Sequence, residues 1–510
     1  MSVNVEHLLT DEQMRQFVAQ GYLLLQTDFA PSFHERLLGE LTRVYREEGN
    51  PGNNLLPRIR ELQQAMEHPV IRGALTSVLG PGYLLHAHRH GHFNNSPQPG
   101  AWHKDSYWGY KRMRHHHPWW AMIMYFPQDT PVELGPTGIM PGTQYSDTRT
   151  FREDEQADEA KASGPAGTFA LIHYDIWHRS TANLAGKERY MLKFEFMRVH
   201  APSGPSWNCR SIEWRTPDGL PASMYAQEAV WEEVWGWLCG RLGPEEQKGR
   251  LDSAGRAAAA QTAAEAIAAL ASPDAAEQAQ AADRLAHLPG PMPEAVQALG
   301  RTLAEESEPA ALNAAYGLAR MGIAGVAEIG RALRGERARV SRLAAYGLSA
   351  AGARAVPVLA EALADDREGT VVHAAFALGE LRQLASGEEG ALVGLLAHPA
   401  SAVRQAAAEA LGMIGAPEAG IAEALGASLA DEDAQVRFTA GLALARLGAA
   451  ADAAVPQLIG ALEDENRYVR AHAADALFYV GTERAKDALL GFLRASRWCP
   501  TTTPASTFYP

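Results

Sequence analysis

A five-residue pattern recurs through the second half of this chain and limits what that half can fold into. Ala-Ala-x-x-Leu, with Ala440-Gly441 in the sixth copy, places its leucine at Leu285, Leu318, Leu348, Leu378, Leu411, Leu444 and Leu477, in steps of 33, 30, 30, 33, 33 and 33 residues. A unit of that length holds two short helices and cannot bury its apolar face alone, so successive units must stack. Val436 to Gly448 illustrates the unit: an apolar helix with small residues on its inner face, a glycine for the turn, then a second apolar helix around Val455 to Leu462. The small residues allow neighbouring helices to approach closely.

The first half is written differently. Up to about residue 245 the chain is rich in Trp, Tyr, His and Pro, with short apolar runs broken by Gly and Pro, which reads as strands and turns. Thr10-Asp11-Glu12-Gln13 has the form of a capping box, and Gly21 can close the helix, which predicts a helix over 11–20 running into a strand over 22–26. A second helix is expected over 31–48, and strands over 83–93, 119–126, 137–141, 167–173 and 189–198. That series implies an α+β domain built on an antiparallel double-sheet barrel, or jelly roll. The expected organisation is a β domain over 1–245, an Ala-rich linker or capping helix over 246–280, an all-α repeat solenoid over 281–495 and a tail over 496–510.

The 510 residues carry a formal charge of −14 and no long Lys/Arg block, which argues against a general nucleic-acid binder. Cys209, Cys239 and Cys499 are odd in number, far apart and in no metal-binding spacing, pointing to free thiols in a reducing compartment such as the cytoplasm. The N-terminus has acids where a signal peptide has a basic start, and no run reads as a membrane span; a soluble protein is expected.

The chemistry concentrates in histidines. Non-haem iron that activates oxygen is held by two imidazoles and one carboxylate on one face, leaving three positions open. Trp102-His103-Lys104-Asp105 offers His-x-Asp at the expected end of a strand, where residues i and i+2 point the same way. His178 offers the third ligand, and eleven residues later Arg189 stands in the strand-like run ERYMLKFEF, able to pair with a dicarboxylate.

His-x-Asp, a distal His and an Arg eleven residues on resemble the phytanoyl-CoA dioxygenase family. Pro131-Val132-Glu133-Leu134-Gly135-Pro136 followed by Pro141-Gly142-Thr143-Gln144 resembles that family's Asn-Gly-Pro turn and Pro-Gly-Ser/Thr-His, and the opening helix with Gly21-Tyr22 also matches. The resemblance spans roughly residues 8–200. It implies that His103, Asp105 and His178 hold Fe(II), and that Arg189 and Ser180 hold the cosubstrate 2-oxoglutarate. The reaction implied is O2-dependent decarboxylation of 2-oxoglutarate coupled to hydroxylation of a small or carrier-bound substrate. Because Asp105 is present, hydroxylation is favoured over halogenation; desaturation or ring formation stays open. Leu134 and Gln144 depart from the family's Asn and His, which bears on substrate fit more than on iron.

The repeats resemble the HEAT-like repeats of phycobilisome lyases, a surface for a protein partner, for self-association or for shaping a pocket. Deoxyhypusine hydroxylase, a HEAT-like di-iron enzyme, needs His-Glu pairs; Val372-His373-Ala374 and Ala471-His472-Ala473 lack the Glu. Two rival readings of the whole chain are a scaffold with a non-catalytic dioxygenase-like domain and a protein hydroxylase that recruits its substrate through the repeats. Within the first half, His173-x-Asp175 competes weakly as the metal pair. His86, His88, His90 and His92 alternate along one strand as a polar face or pocket lining. Lys111 to His117 reads as a solvated basic loop, with an anionic substrate group as the alternative. Trp207, Trp214, Trp231, Trp235 and Trp237 are expected to pack a domain junction.

Overall fold

The computed structural model describes residues 4–105, 113–152, 154, 157–244, 253–417 and 419–495. They fall into two compact units, a β-rich one from residues 4–105 and 114–224 and an all-helical one over Tyr225–Phe492. The division lies before the change of composition near 245, because helix Glu228–Leu238, with Trp231, Trp235 and Trp237 buried, groups with the helical unit. Trp207 is buried in the β unit, where its indole donates to Asp11 Oδ1 at 2.7 Å. Lys111, Arg112, Cys499, the tail 496–510 and the start of the expected linker lie outside the described residues; Cys209 and Cys239 are free thiols.

In the β unit, α1 (Asp11–Gln20) starts where the sequence places it. Thr10 Oγ1 accepts from Gln13 N while Gln13 Oε1 accepts from Thr10 N, and Gly21 ends the helix in the left-handed region that favours glycine. β1 (Tyr22–Gln26), α2 (Pro31–Glu48), α3 (Leu55–Arg58), α4 (Arg60–Met66) and α5 (Pro69–Leu79) follow. Then come β2 (Leu84–Asn94), β3 (Trp120–Tyr125), β4 (Thr137–Ile139), β5 (Ala160–Lys161), β6 (Thr168–His173), β7 (His178–Ser180) and β8 (Arg189–Met197). A five-stranded antiparallel sheet, ordered β1-β6-β3-β8-β2, faces a three-stranded one, β5-β4-β7, as a jelly roll. β3, β6 and β8 are buried along their whole length, because α5 covers the outer face of β3 and β8 while the barrel interior covers the other.

The helical unit begins with α6 (Glu228–Leu238) and α7 (Ser253–Ala269). The seven motif leucines all lie fully buried on the first helix of a pair: α8 (Ala275–Ala286), α10 (Glu308–Arg320), α12 (Ala338–Ala350), α14 (Glu368–Leu381), α16 (Ser401–Ile414), α18 (Ala434–Leu447) and α20 (Arg467–Val480). Each is followed by a second helix: α9 (Pro293–Thr302), α11 (Gly322–Leu333), α13 (Val356–Ala362), α15 (Glu389–Leu395), α17 (Ala419–Ser428), α19 (Val455–Ala461) and α21 (Glu483–Ala495). Small residues set the spacing of the stack. A Cβ built on Gly412 of α16 lies 2.6 Å from the Cα of Ala443 on α18, so any larger residue pushes the helices apart.

A polar ladder, not read from the sequence, ties successive repeats. Arg404 pairs bidentately with Asp431 at 2.7 and 2.8 Å, and Arg437 with Asp464 at 2.8 and 3.2 Å. Both guanidiniums also donate to backbone carbonyls, Arg404 to those of His398 and Pro399 and Arg437 to those of Asp431 and Glu432, and Arg470 does the same one repeat on, to those of Asp464 and Glu465. Ala434–Ala461 is long and apolar enough to cross a membrane, but it comprises the two helices of one repeat and is mostly buried.

Candidate metal centre

His103 stands at the end of a loop, not of a strand as the sequence suggested, and is held by an isolated antiparallel bridge. His103 N donates to His178 O and His178 N to His103 O, both at 3.0 Å. The loop is fixed from the opposite side by Lys104, whose ammonium is buried and donates to the carbonyls of Thr143 (2.9 Å) and Ser146 (2.6 Å). Beneath His178, Arg179 turns the other way along β7, forms a buried bidentate pair with Glu159 at 2.8 and 3.0 Å, and lies 4.3 Å over the Trp102 ring.

Each imidazole has its Nδ1 against a main-chain carbonyl, His103 on Ala101 O (2.9 Å) and His178 on Ile176 O (3.1 Å). Nδ1 donates there, so Nε2 of both rings carries its lone pair toward the shared space. The ring centroids are 4.4 Å apart, and one ligand atom from each of His103, Asp105 and His178 lies within 4.8 Å of the others. Asp105 Oδ2 sits 3.2 Å from His178 Nε2 and 3.0 Å from Lys193 Nζ. Burial alone raises a carboxyl pKa, but His178, Lys193 and His103 outweigh it and hold Asp105 well below its ordinary range. His103 is exposed while His178 and Asp105 are buried, so the cluster opens to solvent on one side. It is the group of this kind among the described residues.

Arg189 opens β8 and is 1% exposed. Its Nε donates to Gly135 O at 3.0 Å, which explains the Gly-Pro turn found in the sequence. Gly135 has φ 71°, and a Cβ there meets Thr181 O at 2.7 Å, so only glycine presents that carbonyl. Nη1 of Arg189 is buried without a hydrogen-bond partner, and burial lowers the guanidinium pKa to about 10. Ser180 follows His178 by two residues on β7 and shares its face; its carbonyl accepts from Gly100 N at 2.9 Å.

Two residues that sequence reading passed over complete the interior. Alternation along β8 puts Lys193 and Glu195 on the face of Arg189, a signal present in the sequence as spacings of four and six. Glu195 Oε2 lies 3.2 Å from His86 Nδ1, and the carboxyl is 3.7 Å from His88 Nε2 and 3.9 Å from Lys193 Nζ; burial pushes it up to about 7.

The weaker readings resolve structurally. His173 is buried at the end of β6, with Asp175 beside Arg114 at 3.4 Å, and joins no ligand cluster among the described residues. The expected solvated loop is corrected over its described part: Arg114, His115, His116 and His117 are buried, with Arg114 drawn in by Asp147 at 2.8 Å and by Asp175. Gln144 is 1% exposed and donates to the carbonyls of Val18 (3.0 Å) and Ala19 (3.2 Å), so it anchors the end of α1, not a substrate. His373, on Ser341 Oγ at 2.7 Å, and His472, fully buried near Asp475, lie inside the helix stack.

Comparison with known proteins follows the same division. No curated protein matches the chain. HygX from Streptomyces hygroscopicus, solved with nickel and 2-oxoglutarate bound, is 15% identical over 37% of this chain and 86% of its own, with a TM-score of 0.32. SnoK, a non-haem α-ketoglutarate-dependent carbocyclase from nogalamycin biosynthesis, is 17% identical over 39% of this chain and 88% of its own, TM-score 0.32. An engineered protein is 23% identical over 48% of this chain and 76% of its own, TM-score 0.31. Residues 3–191 match the sequence model of phytanoyl-CoA dioxygenase, residues 421–499 that of HEAT repeats and residues 403–422 that of the PBS lyase HEAT-like repeat. The chain therefore carries a phytanoyl-CoA dioxygenase-family domain followed by HEAT repeats.

Proposed function

We propose that the β unit is an Fe(II)- and 2-oxoglutarate-dependent oxygenase that hydroxylates, or otherwise oxidises, a small or carrier-bound organic substrate. The observation that carries this reading is the convergence of His103, Asp105 and His178 within 4.8 Å, with both Nδ1 atoms tied to carbonyls. Two neutral imidazoles and one carboxylate form the donor set of non-haem Fe(II), which supplies oxygen activation and leaves positions for cosubstrate and O2. Arg189, a buried cation with an unpartnered Nη1, fits the far carboxylate of 2-oxoglutarate, and Ser180, two residues beyond His178 on β7, would add a hydroxyl donor to the cosubstrate.

The chain's own residues orient and shield. Gly135 O fixes the guanidinium fork, Lys104 and the Arg179–Glu159 pair hold the two ligand-bearing segments in register, and the buried β3, β6 and β8 exclude water from the inner wall. The HEAT repeats offer the extended surface by which such arrays bind a protein partner. With Fe(II), 2-oxoglutarate and air, the full chain forms succinate; His103→Ala lowers the rate by on the order of 10²-fold or more. Anaerobic titration with Fe(II) runs in parallel. A chain that binds neither iron nor 2-oxoglutarate overturns the reading and leaves the scaffold.

A further inference from the structure

The inner wall formed by β2 and β8 holds a ring nitrogen that the chain itself does not use. Alternation puts Arg189, Met191 and Lys193 on the inner face of β8, and the register sets Asn94 opposite Arg189, His92 opposite Met191 and His90 opposite Lys193. Residues directly opposite one another share a face, so these side chains line one wall. His92 is the diagonal neighbour of Arg189 on one side and of Lys193 on the other, about 7–8 Å from each across the sheet. Lys193 lies 3.0 Å from Asp105, so His92 stands between the keto-acid anchor and the ligand cluster. The charges of Lys193, Asp105 and Arg189 all act on its ring.

The neighbours of His92 spend their polar groups within the chain. Asn94 donates to Thr181 O at 3.3 Å and accepts from Ser96 N at 2.9 Å. His90 Nε2 lies 3.3 Å from Asn50 Nδ2, and His86 and His88 lie 3.2 and 3.7 Å from the Glu195 carboxyl. His92 Nε2, in contrast, is buried with no hydrogen-bond partner, as is Nη1 of Arg189. A buried polar atom left in that state costs free energy that a hydrogen bond to a ligand returns. Two such atoms on one wall, one of them on a cation, suit an anion that meets both.

We propose that His92 is a cosubstrate-binding residue whose Nε2–H donates to the far carboxylate of 2-oxoglutarate, beside the Arg189 fork. The proposal deepens the oxygenase reading and rests on it. The keto-acid end of 2-oxoglutarate is the end that Fe(II) takes, so the far carboxylate depends on donors from the chain. Arg189, with Nε committed to Gly135 O, has its terminal nitrogens for that carboxylate, whose two oxygens accept about four hydrogen bonds. A donor from β2 fills part of the remaining capacity and fixes the carboxylate from a second strand. Burial and the Lys193 ammonium lower the His92 pKa to about 3, so at neutral pH the ring offers an N–H without adding charge.

The test uses the full chain loaded with Ni(II) under argon and two probes: 2-oxoglutarate, and 2-oxopentanoate, which carries a methyl group in place of the far carboxylate. By calorimetry, His92→Phe is expected to bind 2-oxoglutarate about tenfold more weakly than the unaltered chain, while both bind 2-oxopentanoate equally. His92→Gln, which keeps an N–H at similar reach, recovers most of the loss, and the Ni(II) affinity and melting curve stay level. Because His92 and Arg189 meet one carboxylate, the losses from His92→Phe and Arg189→Met fall short of adding in the double variant. Unchanged 2-oxoglutarate affinity in both His92→Phe and His92→Leu overturns the proposal, and so does an equal loss for the two probes. A chain that binds 2-oxoglutarate but is indifferent to His92 keeps the oxygenase reading and loses only this residue, whereas a chain that binds no 2-oxoglutarate loses both.

Discussion

The two units bury arginine in opposite ways. In the helical unit Arg404 and Arg437 each meet a carboxylate with both ends of the fork and spend their remaining donors on carbonyls. In the β unit Arg189 is buried more deeply, satisfies one donor on Gly135 O and leaves Nη1 with no partner. A buried cation without a counter-ion costs several kcal/mol of desolvation, and the fold retains it. Charge that is paired within the chain stabilises the scaffold, whereas charge left unpaired marks where something else binds.

The largest effect that separates the two cases is at Arg189. Arg189→Met removes the bidentate partner of a dicarboxylate, and the Kd for 2-oxoglutarate, measured by calorimetry under argon with Ni(II), is expected to rise on the order of 10²-fold. The melting temperature of the ligand-free protein is expected to stay level or rise, because an apolar side chain of similar length replaces an unpaired charge. A variant that loses stability while keeping its affinity for the keto acid breaks the comparison.

Arg437→Met is the converse. It deletes the fork on Asp464 and the bonds to Asp431 O and Glu432 O, leaving a carboxylate with little solvent around it. The expected cost is about 2 kcal/mol, localised by hydrogen exchange to α16, α18 and α20, with no change in iron or 2-oxoglutarate binding. Loss spread evenly over both units argues against a ladder of local ties.

How far the sequence foretold these regions depends on how local the cause is. α1 and its caps follow from Thr10, Gln13 and Gly21 alone, and the expected strands fall within a few residues of β2, β3, β4, β6 and β8. The seven leucines fixed the helix pairs because burial repeats with the period. What escaped depends on partners remote in the chain. β7 is three residues long, too short to show alternation, and His103 owes its place to a bridge with His178 instead of to a strand of its own. The buried run Arg114 to His117 read as solvated because Asp147 and Asp175, which draw Arg114 in, lie far along the chain. The Arg404, Arg437 and Asp431, Asp464 spacings of 33 were visible but carry no signal until stacking brings each fork onto the acid 27 residues on.

The smallest effect tests whether pairing stabilises even where solvent reaches. Glu232 on α6 meets Arg320 Nη2 at 2.6 Å and His287 Nε2 at 3.4 Å, and Asp283 lies 3.8 Å from the other nitrogen of His287. Burial raises the Glu232 pKa, but the His287 hydrogen bond and Arg320 outweigh it and bring the carboxyl down to about 2. For His287 burial lowers the pKa, and Glu232 and Asp283 outweigh it and raise it. Glu232 therefore contributes stability that is complete above its ordinary pKa near 4.5 and lost as pH falls toward 2. His287 contributes stability that is complete below 6.5 and lost as pH rises through its raised value. The α6, α8 and α10 contacts are strongest between those limits, and hydrogen-exchange protection of these helices is expected to peak at about pH 5 to 6. Glu232→Gln removes the acid limb and lowers the His287 pKa, read from its imidazole NMR shift. With a third of the side chain exposed, screening holds the stability change to about 0.5–1 kcal/mol. A His287 titration that Glu232→Gln leaves in place assigns its shift to Asp283 and removes this ion pair from the set of ties that hold the repeats.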